Sequence, residues 1–224
     1  MEKKRRGHEA WRVLRIQSEL VDGIDHLTDI GASVTIFGSA RFSPASPWYE
    51  SATELARRFG QAGLNVLTGG GPGVMEAANK GAYGTPMTSV GLNIELPQEQ
   101  GANPYQDREL HFRYFFVRKL MFVKHAVGFV VFPGGYGTMD ELFEALTLVQ
   151  TGKIKPFPIV LFGAEYWQGL LEWMRERMIG DGCIDAGDMD LFSVTDSVDE
   201  ALEIVMRSYR RTPEDRQDNL PSDS

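Results

Sequence analysis

The residues best suited to chemistry lie in Pro133-Gly134-Gly135-Tyr136-Gly137-Thr138-Met139-Asp140-Glu141. The apolar run Val127 to Phe132 precedes them and reads as a buried strand. Leu142, Ala145, Leu146 and Val149 follow at helical spacing. Strand, glycine turn and helix is the arrangement that aims backbone N–H groups at an anion. A turn built from Gly134, Gly135, Gly137 and Thr138 is therefore expected to grip a phosphate, with Glu141 working on the sugar attached to it. The spacing admits a second account, a capping box with Thr138 as N-cap and Glu141 folded back onto its N–H.

A second unit of the same kind lies upstream. Leu64 to Leu67 reads as a strand, Thr68-Gly69-Gly70-Gly71-Pro72-Gly73 as a turn, and Val74 to Tyr83 as a helix. Gly70, Gly71 and Gly73 are candidates for close approach to a ligand. The unit is not a P-loop, since no Lys-Ser/Thr follows the last glycine, and it lacks the G-x-G-x-x-G spacing. Glu76, in the first turn of that helix, either complements the helix dipole or contacts ligand. Ser39 and Arg41 follow the strand Ser33 to Phe37, where ligands gather in open α/β sheets; the alternative is a plain loop. Arg118 and Lys119 sit on a helix expected over Val117 to His125. Arg118 alone would be a solvated charge or an ion-pair partner. Two glycine turns give charged groups a reason to converge.

These residues need a frame. Further strands are expected at Ser89–Ile94, Leu110–Phe115, Pro158–Phe162 and Phe192–Val194. Helices are expected at 8–30, 48–62, 166–178 and 198–210, and a Gly/Asp-rich loop at 181–190. Alternating apolar strands and helices predict an α/β, Rossmann-like, doubly wound parallel sheet with helices on both faces. Residues 1–32 form an N-terminal helical extension, 33–211 the Rossmann-like domain, and 212–224 a polar tail expected to be disordered. The segment Pro97 to Arg108 reads as a surface loop and a candidate lid.

Composition narrows the function classes. The net charge of −8 over 224 residues argues against a nucleic-acid polymer as partner, which needs a basic footprint. One cysteine, Cys183, leaves no intrachain disulfide and fits a cytoplasmic setting. His8, Glu9, Arg12 and Arg15 interrupt any signal-peptide core, and no apolar run reaches membrane-span length. No cluster of His, Cys and carboxylates suggests a metal.

Gly69-Gly70-Gly71-Pro72-Gly73-Val74-Met75-Glu76, taken with Pro133 to Glu141, resembles the LOG-like proteins. These are cytokinin riboside 5′-monophosphate phosphoribohydrolases, often mislabelled as lysine decarboxylases. Every fixed position of the family pattern P-G-G-x-G-T-x-x-E is present, and Arg118-Lys119 matches the family's Arg-Lys pair. The resemblance runs from about Val34 to Glu203 and leaves the N-terminal helix outside. It implies Arg118 and Glu141 as the catalytic pair, the two glycine turns as nucleotide-binding loops with Lys119 beside them, no cofactor, and a homodimer or larger homo-oligomer. The implied reaction hydrolyses the N-glycosidic bond of a purine nucleoside 5′-monophosphate, giving free base and ribose 5-phosphate. Two alternatives stay open: a general AMP/GMP nucleosidase, and a nucleotide-binding or carrier protein without hydrolysis. A pyridoxal-phosphate lysine decarboxylase is disfavoured, because no lysine stands out as a Schiff-base former.

Overall fold

The computed structural model describes residues 2–96 and 101–211. The expected tail 212–224 and part of the expected lid, 97–100, lie outside the described residues. Seven strands form one all-parallel sheet: β1 (Ser33–Phe37), β2 (Asn65–Thr68), β3 (Ser89–Ile94), β4 (Arg108–Phe112), β5 (Ala126–Val131), β6 (Ile159–Phe162) and β7 (Phe192–Thr195). Their spatial order is β4-β3-β2-β1-β5-β6-β7. The chain starts at the centre, runs out to β4, returns to lay β5 beside β1, and then runs out the other way. Val34 faces Val66 of β2 on one side and Gly128 of β5 on the other. This reversal makes the gap above β1 and β5 the switch point, where an open parallel sheet leaves a crevice at its carboxyl edge.

The helices are α1 (Glu2–Leu27), α2 (Pro47–Gln61), α3 (Val74–Ala82), α4 (Phe115–Lys124), α5 (Tyr136–Gln150), α6 (Ala164–Trp173) and α7 (Val198–Arg211). Side chains alternate across the strands and feed two cores. Val34, Ile36, Val130 and Phe132 join residues of α2, α3 and α7 on one face. Phe37, Phe129 and Val131 join residues of α1, α4, α5 and α6 on the other. None of the helices among the described residues is long and apolar enough to cross a membrane.

Several boundaries differ from the sequence expectation. Helix α6 passes into a π-helical turn, Met174–Ile179. The 181–190 loop contains a 3-10 turn at Ala186–Leu191, opened by a capping box between Asp185 and Asp188. The consequential difference is α5. It starts at Tyr136 with Gly135 as N-cap and no side-chain cap. Thr138 thus lies inside the first turn, and the Thr138–Glu141 capping box is not formed.

Candidate functional site

Three turns meet at the switch point and are tied to one another through backbone. Ser39 N–H donates to the Pro133 carbonyl (2.9 Å), and the Ser39 carbonyl accepts from Val74 N–H (3.0 Å). The turn after β1 therefore fixes the glycine turns after β2 and β5 at a set spacing. Gly73 has φ +69°, and a Cβ there would lie 2.3 Å from the Ser39 carbonyl oxygen. Gly70 has φ +71°, and a Cβ there would strike the Asn93 amide. Both are glycines because the fold requires them.

The second turn behaves differently. A Cβ on Gly134 would meet Thr138 Oγ1 at 2.1 Å, so Gly134 is needed to seat that buried threonine. A Cβ on Gly135 or Gly137 would meet nothing within 4 Å, and neither residue has positive φ. The protein's own packing does not call for glycine there. Bare backbone at these two positions leaves room for a ligand against the start of α5. The first N–H groups of a helix have no intrahelical acceptor, so Tyr136, Gly137 and Thr138 present free donors with the positive end of the dipole.

A cleft of ≈ 1170 Å³ opens above these turns. Of the residues singled out in the sequence, Ser39, Arg41, Gly71, Arg118, Gly134, Gly135, Gly137, Thr138 and Glu141 line it. Gly70, Gly73, Glu76 and Lys119 are not among the lining residues. The Gly70 carbonyl is consumed by Asn103 and Gln106. Glu76 accepts a 2.7 Å hydrogen bond from the Tyr49 hydroxyl, which burial and this carboxylate push above its usual pKa. Lys119 turns away toward carboxylates of α5.

Arg118 comes from α4, the crossover that carries the chain back to the centre. Its guanidinium lies over the rings of Phe115 (5.2 Å) and Phe122 (5.5 Å). Its Nε is buried with no hydrogen-bond partner among the described residues. Burial moves its pKa downward, opposed by the charges of Glu141 and Asp140, and a guanidinium stays charged regardless. A buried donor without an acceptor is costly, and an anionic ligand would supply one. Glu141, which lines the same cleft, is only 6% exposed. Burial pushes its carboxyl up to about 7; Lys119 and Arg118 pull it back, while Glu144 and Asp140 push it further. A carboxyl poised near neutrality can hold or release a proton at working pH.

Parts of the site were invisible in the sequence. Buried Asn79 accepts from Thr68 Oγ1 (2.5 Å) and from Asn103 Nδ2 (2.9 Å), and donates to Ser89 Oγ (2.9 Å). This network clips the Asn103 end of the expected lid onto the first glycine turn. Glu19 of α1 accepts from the N–H groups of Arg113 (2.8 Å) and Tyr114 (3.0 Å), just ahead of α4. The N-terminal extension thus anchors the helix that carries Arg118. Apolar walls come from Phe37, Met75, Phe115 and Phe122. No local signal links residues so far apart.

Residues 75–205 match the family described as possible lysine decarboxylase, more than half of the chain. The chain belongs to that family, the LOG-like proteins. A probable cytokinin riboside 5′-monophosphate phosphoribohydrolase of Oryza sativa subsp. japonica is 28% identical over 178 residues, 76% of this chain and 74% of that protein. A cytokinin riboside 5′-monophosphate phosphoribohydrolase of Mycobacterium marinum is 28% identical over 170 residues, 73% of this chain and 90% of that protein. Among solved structures, a molybdenum cofactor carrier protein of Chlamydomonas reinhardtii superposes with TM-score 0.57 at 22% identity, covering 81% of this chain and 99% of that one. The last likeness shows the fold alone.

Proposed function

We propose that this LOG-like protein hydrolyses the N-glycosidic bond of purine nucleoside 5′-monophosphates, of the cytokinin type, to free base and ribose 5-phosphate. The observation that carries the reading is that one cleft is lined both by Arg118, whose buried Nε has no hydrogen-bond partner among the described residues, and by Glu141, a buried carboxyl raised to about 7. The start of α5 takes the 5′-phosphate by N–H groups and the Thr138 hydroxyl. Holding the phosphate, remote from the bond that breaks, positions the ribose. Arg118 binds phosphate or ribose oxygens. As the bond from ribose C1′ to the base nitrogen lengthens, positive charge builds on the sugar, and ionised Glu141 stabilises it. The base leaves with the bonding electron pair, water adds to C1′ and gives a proton to Glu141, and that proton is returned through solvent to the departing base nitrogen, which restores ionised Glu141. Ser39 and Gly71 complete the wall of the site.

Lysine decarboxylation, the chemistry in the family's description, would need pyridoxal phosphate held by a lysine Schiff base. No lysine is among the described residues that line the cleft, so these residues do not fit that group. A homodimer or larger homo-oligomer in the cytoplasm belongs to the same reading. The assembly is supported by exposed Trp11, Leu14 and Val21 on α1, and light scattering checks it.

The deciding experiment incubates the protein with AMP, GMP and isopentenyl-AMP and follows free base by chromatography. Base release fastest from isopentenyl-AMP supports the proposal. Equal or faster release from AMP or GMP would make the protein a general nucleosidase. Binding of all three without any release would make it a carrier.

A further inference from the structure

Arg118 and Lys119 are neighbours in sequence, and neighbours on an α-helix point about 100° apart. One of the pair can face the cleft while the other faces α5. Arg118 lines the cleft and Lys119 does not. The Lys119 ammonium lies 2.5 Å from Glu144 Oε2, 2.9 Å from Asp140 Oδ2 and 3.7 Å from Glu141 Oε2. Asp140 and Glu144 stand i, i+4 on α5, and Glu141 and Glu144 stand i, i+3, so the three carboxylates share one side of that helix. Only 13% of the Lys119 side chain is exposed. Glu144 and Asp140 are within hydrogen-bond distance of the ammonium and Glu141 is within ion-pair distance, so its charge is directed to this set rather than to the cleft.

We propose that Lys119 is a positioning residue, which gathers Asp140, Glu141 and Glu144 and holds the Glu141 carboxylate toward the cleft, leaving the substrate to Arg118. This rests on the hydrolase reading for its functional meaning, but not for its physics. Three carboxylates within one helical turn repel one another, and a single ammonium between them makes their shared ionisation tolerable. Burial works against the charge on Lys119, yet hydrogen bonds to Glu144 and Asp140 and the charge of Glu141 outweigh it and hold the ammonium above its usual pKa. Glu141 is faced by Lys119 and Arg118 from α4 and by Asp140 and Glu144 from its own helix. Removing Lys119 leaves Arg118 as the one cation of that set and takes the counter-charge from two neighbouring carboxylates. Both changes disfavour ionised Glu141.

The test compares wild type with Lys119→Met, Lys119→Arg and Glu144→Gln. The Glu141 titration is followed by carboxyl-carbon NMR on the whole protein, assigned with Glu141→Gln, and the pH profile of base release is recorded alongside. Lys119→Met should move the Glu141 midpoint upward by about one to two pH units, carry the rising limb of the pH profile with it, and leave KM little changed. Lys119→Arg should restore most of the position. Glu144→Gln, which removes a like charge, should move the midpoint down, and it serves if Lys119→Met fails to fold. An unmoved midpoint in Lys119→Met or, if that variant fails to fold, in Glu144→Gln would overturn the proposal. So would a large rise in KM with an unmoved pH profile, which would make Lys119 a substrate contact. Should wild type release no base from any nucleotide, the hydrolase reading falls while the NMR midpoints still decide the role of Lys119.

Discussion

Replacing Glu141 by Gln should make the protein more stable at alkaline pH. A carboxyl whose pKa rises from 4.5 to about 7 on folding keeps, in the native state, a proton that the unfolded chain has already given up. The stability linked to that proton is fully present below pH 4.5, declines as pH rises, and is gone above pH 7. The displacement corresponds to roughly 3 kcal/mol, of which about 2.5 kcal/mol falls between pH 5 and pH 8. Glutamine has nearly the same shape and never ionises, so the variant escapes this loss. Lys119 keeps Asp140 and Glu144 as partners when Glu141 is neutralised. The readout is thermal unfolding of wild type and variant at pH 5 and pH 8. For a chain of this size, the gap in melting temperature should widen by about 5–10 °C in the variant's favour on going to pH 8. A gap that is the same at both pH values would refute the claim that Glu141 is buried at a cost, and with it the claim that its carboxyl is poised near neutrality.

The remaining predictions concern activity and the frame around the site. Glu141→Gln should abolish base release while AMP still binds by calorimetry, and wild-type kcat/KM should rise with pH through about 7 as Glu141 ionises. Arg118→Ala should lower base release by about 100-fold or more, measured by chromatography on folded protein. Gly134→Ala should weaken nucleotide binding, measured by calorimetry, because its Cβ must displace Thr138. Asn79→Ala should cost about 1–3 kcal/mol of stability in denaturant unfolding, since Thr68, Ser89 and Asn103 lose a buried partner.

The fold was legible where pattern is local. Ser33–Phe37 and Ser89–Ile94 are strands with the expected limits, because β-branched and apolar runs flanked by turn residues admit little else. Strand order was not legible, although it makes the crevice: nothing in Ser33–Phe37 says that β5 is its second neighbour. The start of α5 was misjudged because Tyr136-Gly137 is a poor helical sequence, and the helix begins there without a side-chain cap. The glycines looked alike in sequence. Only the backbone separates Gly70 and Gly73, which have positive φ, from Gly135 and Gly137, which stand over open space. Arg118 was expected to pair with Glu141 and Lys119 to stand beside the nucleotide-binding turns; the two neighbours on α4 face different partners, Arg118 the cleft and Lys119 the carboxylates of α5. The residues that fix the frame, Asn79, Asn103 and Glu19, carry no local mark, since their contacts join separate elements: Asn79 to Asn103 and Glu19 to Arg113.

The sheet order also shapes how the chain comes into being. β1 is the first strand to be synthesised and the one most enclosed in the finished sheet. Its partner β2 follows soon, with Ser33 opposite Asn65, but its other partner begins only at Ala126. At ribosomal rates of roughly 5–20 residues per second, β1 waits on the order of ten seconds with one edge bare. That edge carries unpaired N–H and C=O groups flanked by Val34, Ile36 and Phe37, which is a template for pairing with another nascent chain. A fragment ending at residue 125 should accordingly aggregate where the full chain does not, as light scattering would show. The strand that centres the site is thus the molecule's most vulnerable edge during its birth, and the glycine turn that follows β5 takes its place only after that edge is closed.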